Sequence, residues 1–555
     1  MSRSSLGITV SPFRAIALRF ITARHAAVPI IIILLVTLFI GLPQIVVLSG
    51  LLRPANEAWI HIRSTLLLDY ILDTLLLGCG VTLGATLIGT GLAWFTSNYE
   101  FPGVRFFSWA IGLPIALPAY ISAYTYAYVT GITGPLFRTF RWLFGRQIAV
   151  DLLFDIMSLP GCIFIMVFAL YPYIYFSARS FFSGSSRHYI ETARACGRSD
   201  AEIFFRVALP VARPAIIAGA SLVLMETLNE YGATSYFGVQ SMVTGIYRAW
   251  FSHGDVGSAL RLSGFFLIGI AVLLVFERKL RRRRRYHHGT LVPQSRYRPS
   301  MLSGYLMCLV CFVSLALGLI VPLTQLIFWC LRSIDLDALD RLRGAISRSF
   351  LLSGAGSAIC LAVSVLLIFL LRNRKGVTLT NEIVGSGYAV PGAIIGVGVL
   401  TLAGTIRSTF SVYLIGSVGL LLYAYVVRYL SITMKPLQAG IEKIPASFDD
   451  AGALSGRPWM SIFAQVHLPL LRPALSAGLF MVFIDLLKEL PMSLVLRPFN
   501  FDTLATRAFE LAQQDRLREA ALPSVVIVLV GLIPALILSK RRHIRTQKLD
   551  NANDP

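Results

Sequence analysis

Glu191-Thr-Ala-Arg-Ala-Cys-Gly197 and Asp450-Ala-Gly-Ala-Leu-Ser-Gly456 stand 259 positions apart, and the same spacing continues beyond them. It carries Leu209-Pro210 onto Leu468-Pro469, Arg213-Pro214-Ala215 onto Arg472-Pro473-Ala474, Glu226 onto Asp485, Glu230 onto Glu489, Thr244 onto Thr503 and Arg248 onto Arg507. A gap-free register of that length marks an internal duplication. Within each copy a small-residue cluster ends on a glycine, which lets a short helix turn. The stretches Ala201 to Leu209 and Met460 to Leu468 then read as second short amphipathic helices. A proline near the start of the next helix gives up no needed donor. An elbow of two short helices is therefore expected in each copy.

The elbows sit between long apolar stretches. Of the 555 residues 56% are hydrophobic and 14% charged, and the mean hydropathy is +0.71. Soluble domains carry about 25% charged residues, so the chain reads as a membrane protein. The net charge of +22 and the pI near 10.0 would otherwise suggest a nucleic-acid binder, and no nucleic-acid partner is expected here. Twelve stretches are long enough to cross a bilayer: 26–51, 70–96, 106–130, 156–178, 212–236, 260–277, 301–331, 349–371, 383–404, 413–430, 471–493 and 521–539. The first is too long and too late to read as a cleaved signal. The fold expected is all-α and polytopic, with about twelve spans in two six-helix halves of the same orientation, related by a pseudo-twofold axis along the membrane normal.

Lys and Arg concentrate in segments 1–25, 178–213, 278–300, 372–380, 428–472 and 540–555, which places these and both termini on the cytoplasmic side. The organisation expected is a first membrane domain over 1–277 with its elbow loop near 184–213, a basic linker over 278–300, and a second domain over 301–555 with its loop near 440–472. Arg278-Lys279 and Arg281 to Arg285 read as an anchor on anionic headgroups. The seven cysteines imply no disulfide framework, and the Cys308/Cys311 pair on an apolar helix reads as packing.

The two loops resemble the EAA loops of ATP-binding cassette importer permeases, whose coupling helices dock on ATPase subunits. The resemblance implies a type I importer permease fold and coupling through Glu191, Ala193, Gly197, Arg198 and Pro210 in one half, and Asp450, Gly452, Gly456, Arg457 and Pro469 in the other. Arg198 and Arg457 are expected to face acidic groups on the ATPase, and the second copy departs from the family in reading Asp-Ala-Gly. Met225-Glu-Thr-Leu-Asn-Glu-Tyr-Gly-Ala233, Thr244-Gly-Ile-Tyr-Arg-Ala-Trp-Phe251, Lys488-Glu-Leu-Pro491, Arg497 to Thr506 and Leu117-Pro118-Ala119-Tyr120 are similar to the ferric-iron branch with two fused membrane domains. That branch implies a bacterial inner-membrane location, a homodimer of ATPase subunits at the two loops, a periplasmic ferric-iron-binding protein, and ATP with Mg on the partner. The chain has no Gly-x-x-x-x-Gly-Lys-Ser/Thr, so no phosphate loop and no cofactor of its own is expected.

Ionisable residues at membrane depth are costly and mark functional positions. Glu226, Glu230, Asp485, Lys488 and Glu489 lie on the two equivalent helices, the acids spaced i and i+4 on one expected face. The four acids with Tyr231 are the expected translocation path, and Glu230 with Glu489 a transient site for a hard cation, which favours oxygen ligands. The other reading of the acids is pairing with Lys488 or gating. Tyr120, Tyr124 and Tyr128 form a stripe that reads first as packing, although phenolate also binds ferric ion. Arg248 and Arg507, in equivalent external loops, are expected to meet the binding protein. Rival readings are the same machine for thiamine or a phosphonate, and an ion-coupled secondary transporter with the carboxylates as proton carriers.

Overall fold

A computed structural model describes residues 12–145, 155–183, 187–281, 296–333, 336–372, 383–385 and 387–550. Arginines 282 to 285 and most of the 278–300 linker lie outside the described residues. The principal helices are α1 (Pro12–Ser49), α2 (Leu67–Asn98), α3 (Ala119–Thr130), α4 (Leu159–Phe182), α5 (Leu209–Asn229), α6 (Val256–Arg281), α7 (Met301–Leu315), α8 (Val321–Ser333), α9 (Leu336–Leu371), α10 (Gly392–Phe410), α11 (Val418–Ile441), α12 (Leu468–Leu487) and α13 (Leu517–Asp550). In hydrocarbon only helices or closed barrels satisfy every backbone donor, so an apolar chain of this length folds as helices. Among the described residues ten helical segments are long and apolar enough to cross a membrane, and a bent pair makes an eleventh. The twelfth expected stretch, 521–539, lies on α13.

Four expected spans are interrupted. The 106–130 stretch is a bent pair, Val104–Ala116 and Ala119–Phe144, meeting at 94°. Proline has no amide hydrogen and disfavours helical geometry in the residue before it, and Leu117 and Pro118 are both extended there. Pro391 likewise caps α10, so the long helix in the 383–404 stretch begins at Gly392. The 212–236 stretch stops at Asn229 and restarts as a short helix at Gly232. The 471–493 stretch stops at Leu487 and restarts at Pro491. The acid pairs Glu226/Glu230 and Asp485/Glu489 thus straddle a break instead of sharing one continuous helical face.

The duplicated halves do not form two separate cores. One core joins first-half residues from Leu77 to Val239 with Cys311 of α7, Leu319 of the turn after it and Trp329 of α8, and with Phe509 and Val528. The other joins second-half residues from Leu352 to Leu496 with Ile40 and Val47 of α1 and Leu260 and Ile270 of α6. Each half therefore wraps its outer helices around the centre of the other. Hydrogen bonds follow the exchange: Tyr423 of α11 donates to the Phe39 carbonyl of α1 at 2.6 Å, and Tyr126 of α3 donates to the Leu317 carbonyl.

Small residues let membrane helices approach closely. At Gly398 of α10 an added Cβ would stand 2.6 Å from the Pro43 carbonyl oxygen of α1, a backbone atom that cannot step aside alone, whereas at Gly404 it meets nothing. Gly398→Ala is expected to destabilise the protein by about 1–3 kcal/mol. Gly404→Ala should be neutral or stabilising by up to ~1 kcal/mol. Thermal unfolding of the two purified variants in one detergent checks the order.

Candidate functional site

Each elbow is built by the same backbone device. Arg187–Ala195 ends at Gly197, whose φ of +74° admits glycine readily. Gly197 N–H bonds the Arg194 carbonyl at 2.9 Å and Arg198 N–H the Ala193 carbonyl at 3.2 Å. In the second copy Ser447–Leu454 ends at Gly456, φ +70°, with Gly456 N–H on Ala453 at 3.0 Å and Arg457 N–H on Gly452 at 3.1 Å. Ala193 and Gly452 are thus the carbonyls that close the turn. Gly452 also has a packing reason, since a Cβ there would stand 2.5 Å from Ile462 Cδ1.

The prolines do more than open a new helix. Pro210 and Pro469 leave the carbonyls of Arg206 and Gln465 without their i+4 donors. In both copies the chain widens to a π turn just before the proline, at Ile203–Ala208 and Phe463–His467, and runs on into α5 and α12. The second elbow helix and the membrane helix are therefore one continuous rod, 200–229 in the first half and 459–487 in the second. Each rod joins its elbow to residue 226 or 485 without a break.

Glu191, Gly197, Arg198, Asp450, Gly456 and Arg457 are exposed, and Leu454 beside them is 89% exposed. Arg198 bonds Glu202 at 3.4 Å, and Arg457 bonds Gln465, so both arginines are engaged within their own elbows. The anchors differ between copies. Arg372 grips Asp449 at 2.8 Å in the second, whereas in the first Arg194 pairs with Asp200 at 3.2 Å and stacks 4.7 Å above Tyr297, near the end of the linker.

At the other end of the rods the two halves enclose a cavity lined by Glu226, Asn229, Glu230, Asp485, Lys488 and Glu489, with Tyr120, Tyr173, Tyr388, Arg428 and Tyr429 around them. The expected path carboxylates are thus brought together, though each already has a donor. Glu230 accepts from Ala233 N–H at 2.9 Å. Glu489, 4% exposed, accepts from Met492 and Ser493 N–H, each at 3.2 Å. Both therefore act as caps for the short helices that restart after the break. Lys488 pairs with Asp485 at 2.9 Å, the pairing weighed as the alternative to substrate contact. Glu226 accepts the Tyr388 hydroxyl across the half-to-half boundary. Among the described residues no three His, Cys, Asp or Glu side chains converge as a resident metal site.

Sequence reasoning missed Arg428 and Asn229. The 413–430 stretch placed Arg428 at the edge of a basic loop, but α11 continues to Ile441, so the guanidinium is 2% exposed at membrane depth. It bonds Asn229 Oδ1 at 2.5 Å, which also accepts Gly392 N–H at 2.8 Å, and it lies 5.3 Å from the Tyr429 ring centre. The rule that marks ionisable residues inside spans finds Arg428 once the helix end is placed correctly. At the position 259 earlier stands Ala169, also on the cavity.

An aromatic cluster, here called the roof, adjoins the cavity through Tyr120, while Tyr231, Tyr247 and Phe509 are not among the lining residues. Tyr231, expected on the path, stacks on Tyr247 at 3.8 Å and meets Phe509 at 5.9 Å, and Phe509 in turn meets Tyr120 at 6.2 Å. Tyr247 donates to the Pro491 carbonyl, another bond between halves. The tyrosine stripe separates: Tyr124 is bonded to Ser524 and Tyr128 packs on Trp329, while Tyr120 alone reaches the cavity. Arg248 is exposed and Arg507 half-buried in the equivalent loops beyond.

Residues 8–286 match the family described as binding-protein-dependent transport system inner membrane component. The Fe(3+)-transport system permease protein FbpB 2 of Haemophilus influenzae is 27% identical over 526 residues, covering 91% of this chain and 97% of that protein. A probable sulfate transport system permease protein cysT of Prototheca wickerhamii is 28% identical over 34% of this chain and 73% of its own. A putative 2-aminoethylphosphonate transport system permease protein PhnU of Salmonella choleraesuis is 26% identical over 38% of this chain and 76% of its own.

Asn229→Ala removes the acceptor shared by Arg428 and Gly392 N–H. Leaving such buried donors unmet costs about 1–3 kcal/mol, and the expected drop in thermal stability is read on the purified protein. An unchanged midpoint would show that the contact contributes nothing.

Proposed function

We propose that this chain, which belongs to the family of binding-protein-dependent transport system inner membrane components, is the permease through which an ATP-binding cassette importer brings ferric iron into the cell. The observation that carries the reading is end-to-end similarity to an Fe(3+)-transport permease, over 91% of one chain and 97% of the other. The duplicated carboxylates facing one cavity support it, because a hard cation favours oxygen donors.

In this reading the elbows face the cytoplasm with both termini, and each receives one subunit of an ATPase homodimer that carries ATP and Mg. Glu191, Ala193, Gly197, Arg198 and Pro210, with Asp450, Gly452, Gly456, Arg457 and Pro469, form the docking surfaces, and Leu454 adds an apolar contact. Closure of the ATPases draws the elbows together. The continuous rods transmit that movement to Glu226 and Asp485, and the aromatic roof opens toward a periplasmic ferric-iron-binding protein seated near Arg248 and Arg507. The domain limits are 1–277 and 301–555, joined by the 278–300 linker.

Glu230 and Glu489 meet the ion transiently, since their oxygens are shared with backbone amides and hold it weakly enough to release. One observation favours a second cargo. Arg428 and Lys488 put two cations on the same cavity, and an anion such as sulfate or an aminophosphonate suits them.

The test is uptake into proteoliposomes containing the permease, its ATPase and its binding protein. Radioactive iron should accumulate with ATP, and Glu230→Gln with Glu489→Gln should slow it at least about tenfold while ATPase docking is unchanged. Accumulation of sulfate or phosphonate without iron would refute the cargo, and uptake that ignores ATP but follows a proton gradient would refute the importer reading.

A further inference from the structure

Tyr120 is the cavity group that the account above leaves unused. It is 3% exposed, its side chain lines the cavity, and its hydroxyl has no hydrogen-bond partner. A buried phenol normally finds one. Its neighbours in the stripe have settled contacts, Tyr124 with Ser524 and Tyr128 with Trp329 and Arg138. The position of the ring is imposed by the fold. Pro118 opens α3 and places Tyr120 second in it, Phe509 packs edge-on at 6.2 Å, and a Cβ on Gly232 would stand 2.5 Å from Tyr120 Cβ. Gly232 follows Glu230 by two residues, so this close approach holds the phenol beside the chain that carries the first carboxylate.

The duplication is broken here. Pro391 opens α10 as Pro118 opens α3, and the second residue of α10 is Ala393, fully buried. At this pair of helix starts the phenol therefore comes from the first half alone, while both halves supply carboxylates.

We infer that Tyr120 is a third oxygen ligand for the passing ferric ion, completing with Glu230 and Glu489 a hard three-oxygen site just beneath the aromatic roof. This rests on the ferric-iron reading above. Phenolate and carboxylate oxygens suit a hard trivalent ion. Forming the iron–phenolate bond breaks the phenol O–H bond, the proton passes to water in the cavity, and no electron is transferred, so the iron stays ferric. Water completes the coordination. A phenol that binds no other group is free to make and break this bond on each cycle.

The test uses the intact transporter in lipid nanodiscs, titrated with ferric nitrilotriacetate. Wild type should develop a visible phenolate-to-iron charge-transfer band with tyrosinate modes in resonance Raman. Tyr120→Phe should lose both and bind iron at least about tenfold more weakly. Tyr171→Phe removes another buried phenol without a partner, one that is off the cavity, and should keep both. Absence of the Raman modes in wild type overturns the inference without any variant, as does a band that survives Tyr120→Phe or vanishes in Tyr171→Phe. Iron uptake by a wild type lacking the band overturns the phenol site alone, whereas no iron uptake at all overturns the ferric reading beneath it.

Discussion

A membrane helix can be interrupted in hydrocarbon only where something else accepts the amide hydrogens that the break exposes, since each unmet group costs several kcal/mol. Glu230 and Glu489 are what makes the interruption tolerable in this protein. Each follows the end of a membrane helix and turns its carboxylate onto the amides of the short helix that restarts. Residues at both breaks line one cavity.

In the proposed function the same carboxylates serve two ends. Fixed by the amides, they are held in place before any ion arrives, so little reorganisation is needed on binding. Shared with the amides, they hold a cation less firmly than free carboxylates would. A path requires both properties, entry without trapping. In that reading the continuous rods from elbow to break give the ATPases a direct hold on the site. Because each half wraps its outer helices around the other's core, the two halves are held together by both cores.

Much of this was legible in the residues. The 259-residue register gave the duplication, Gly197 and Gly456 the turns, and the apolar stretches the spans. The interruptions were harder, because a proline inside an apolar run is compatible with a kinked helix, and nothing local says that Leu117-Pro118 turns the chain by 94°. Glu230 as a cap was hidden for a related reason: an acid four residues after another reads as a shared face until the helix end is known. Arg428 was lost to a span boundary drawn where charge first appeared, although α11 buries that charge and continues for another thirteen residues. The π turns before Pro210 and Pro469 follow from proline's missing donor, yet which way the helix accommodates it depends on packing with the elbow. The exchange of outer helices between halves is a tertiary fact with no periodic signature.

The central claim is that a ferric ion crosses through this cavity, between the repeat-related carboxylates. Crystals of the transporter soaked with a ferric chelate and measured at the iron absorption edge address it most directly. The account predicts one anomalous peak inside the cavity, between Glu230 and Glu489 and beneath Tyr231. A peak elsewhere in the membrane region, or density in the cavity with no anomalous signal, would contradict it.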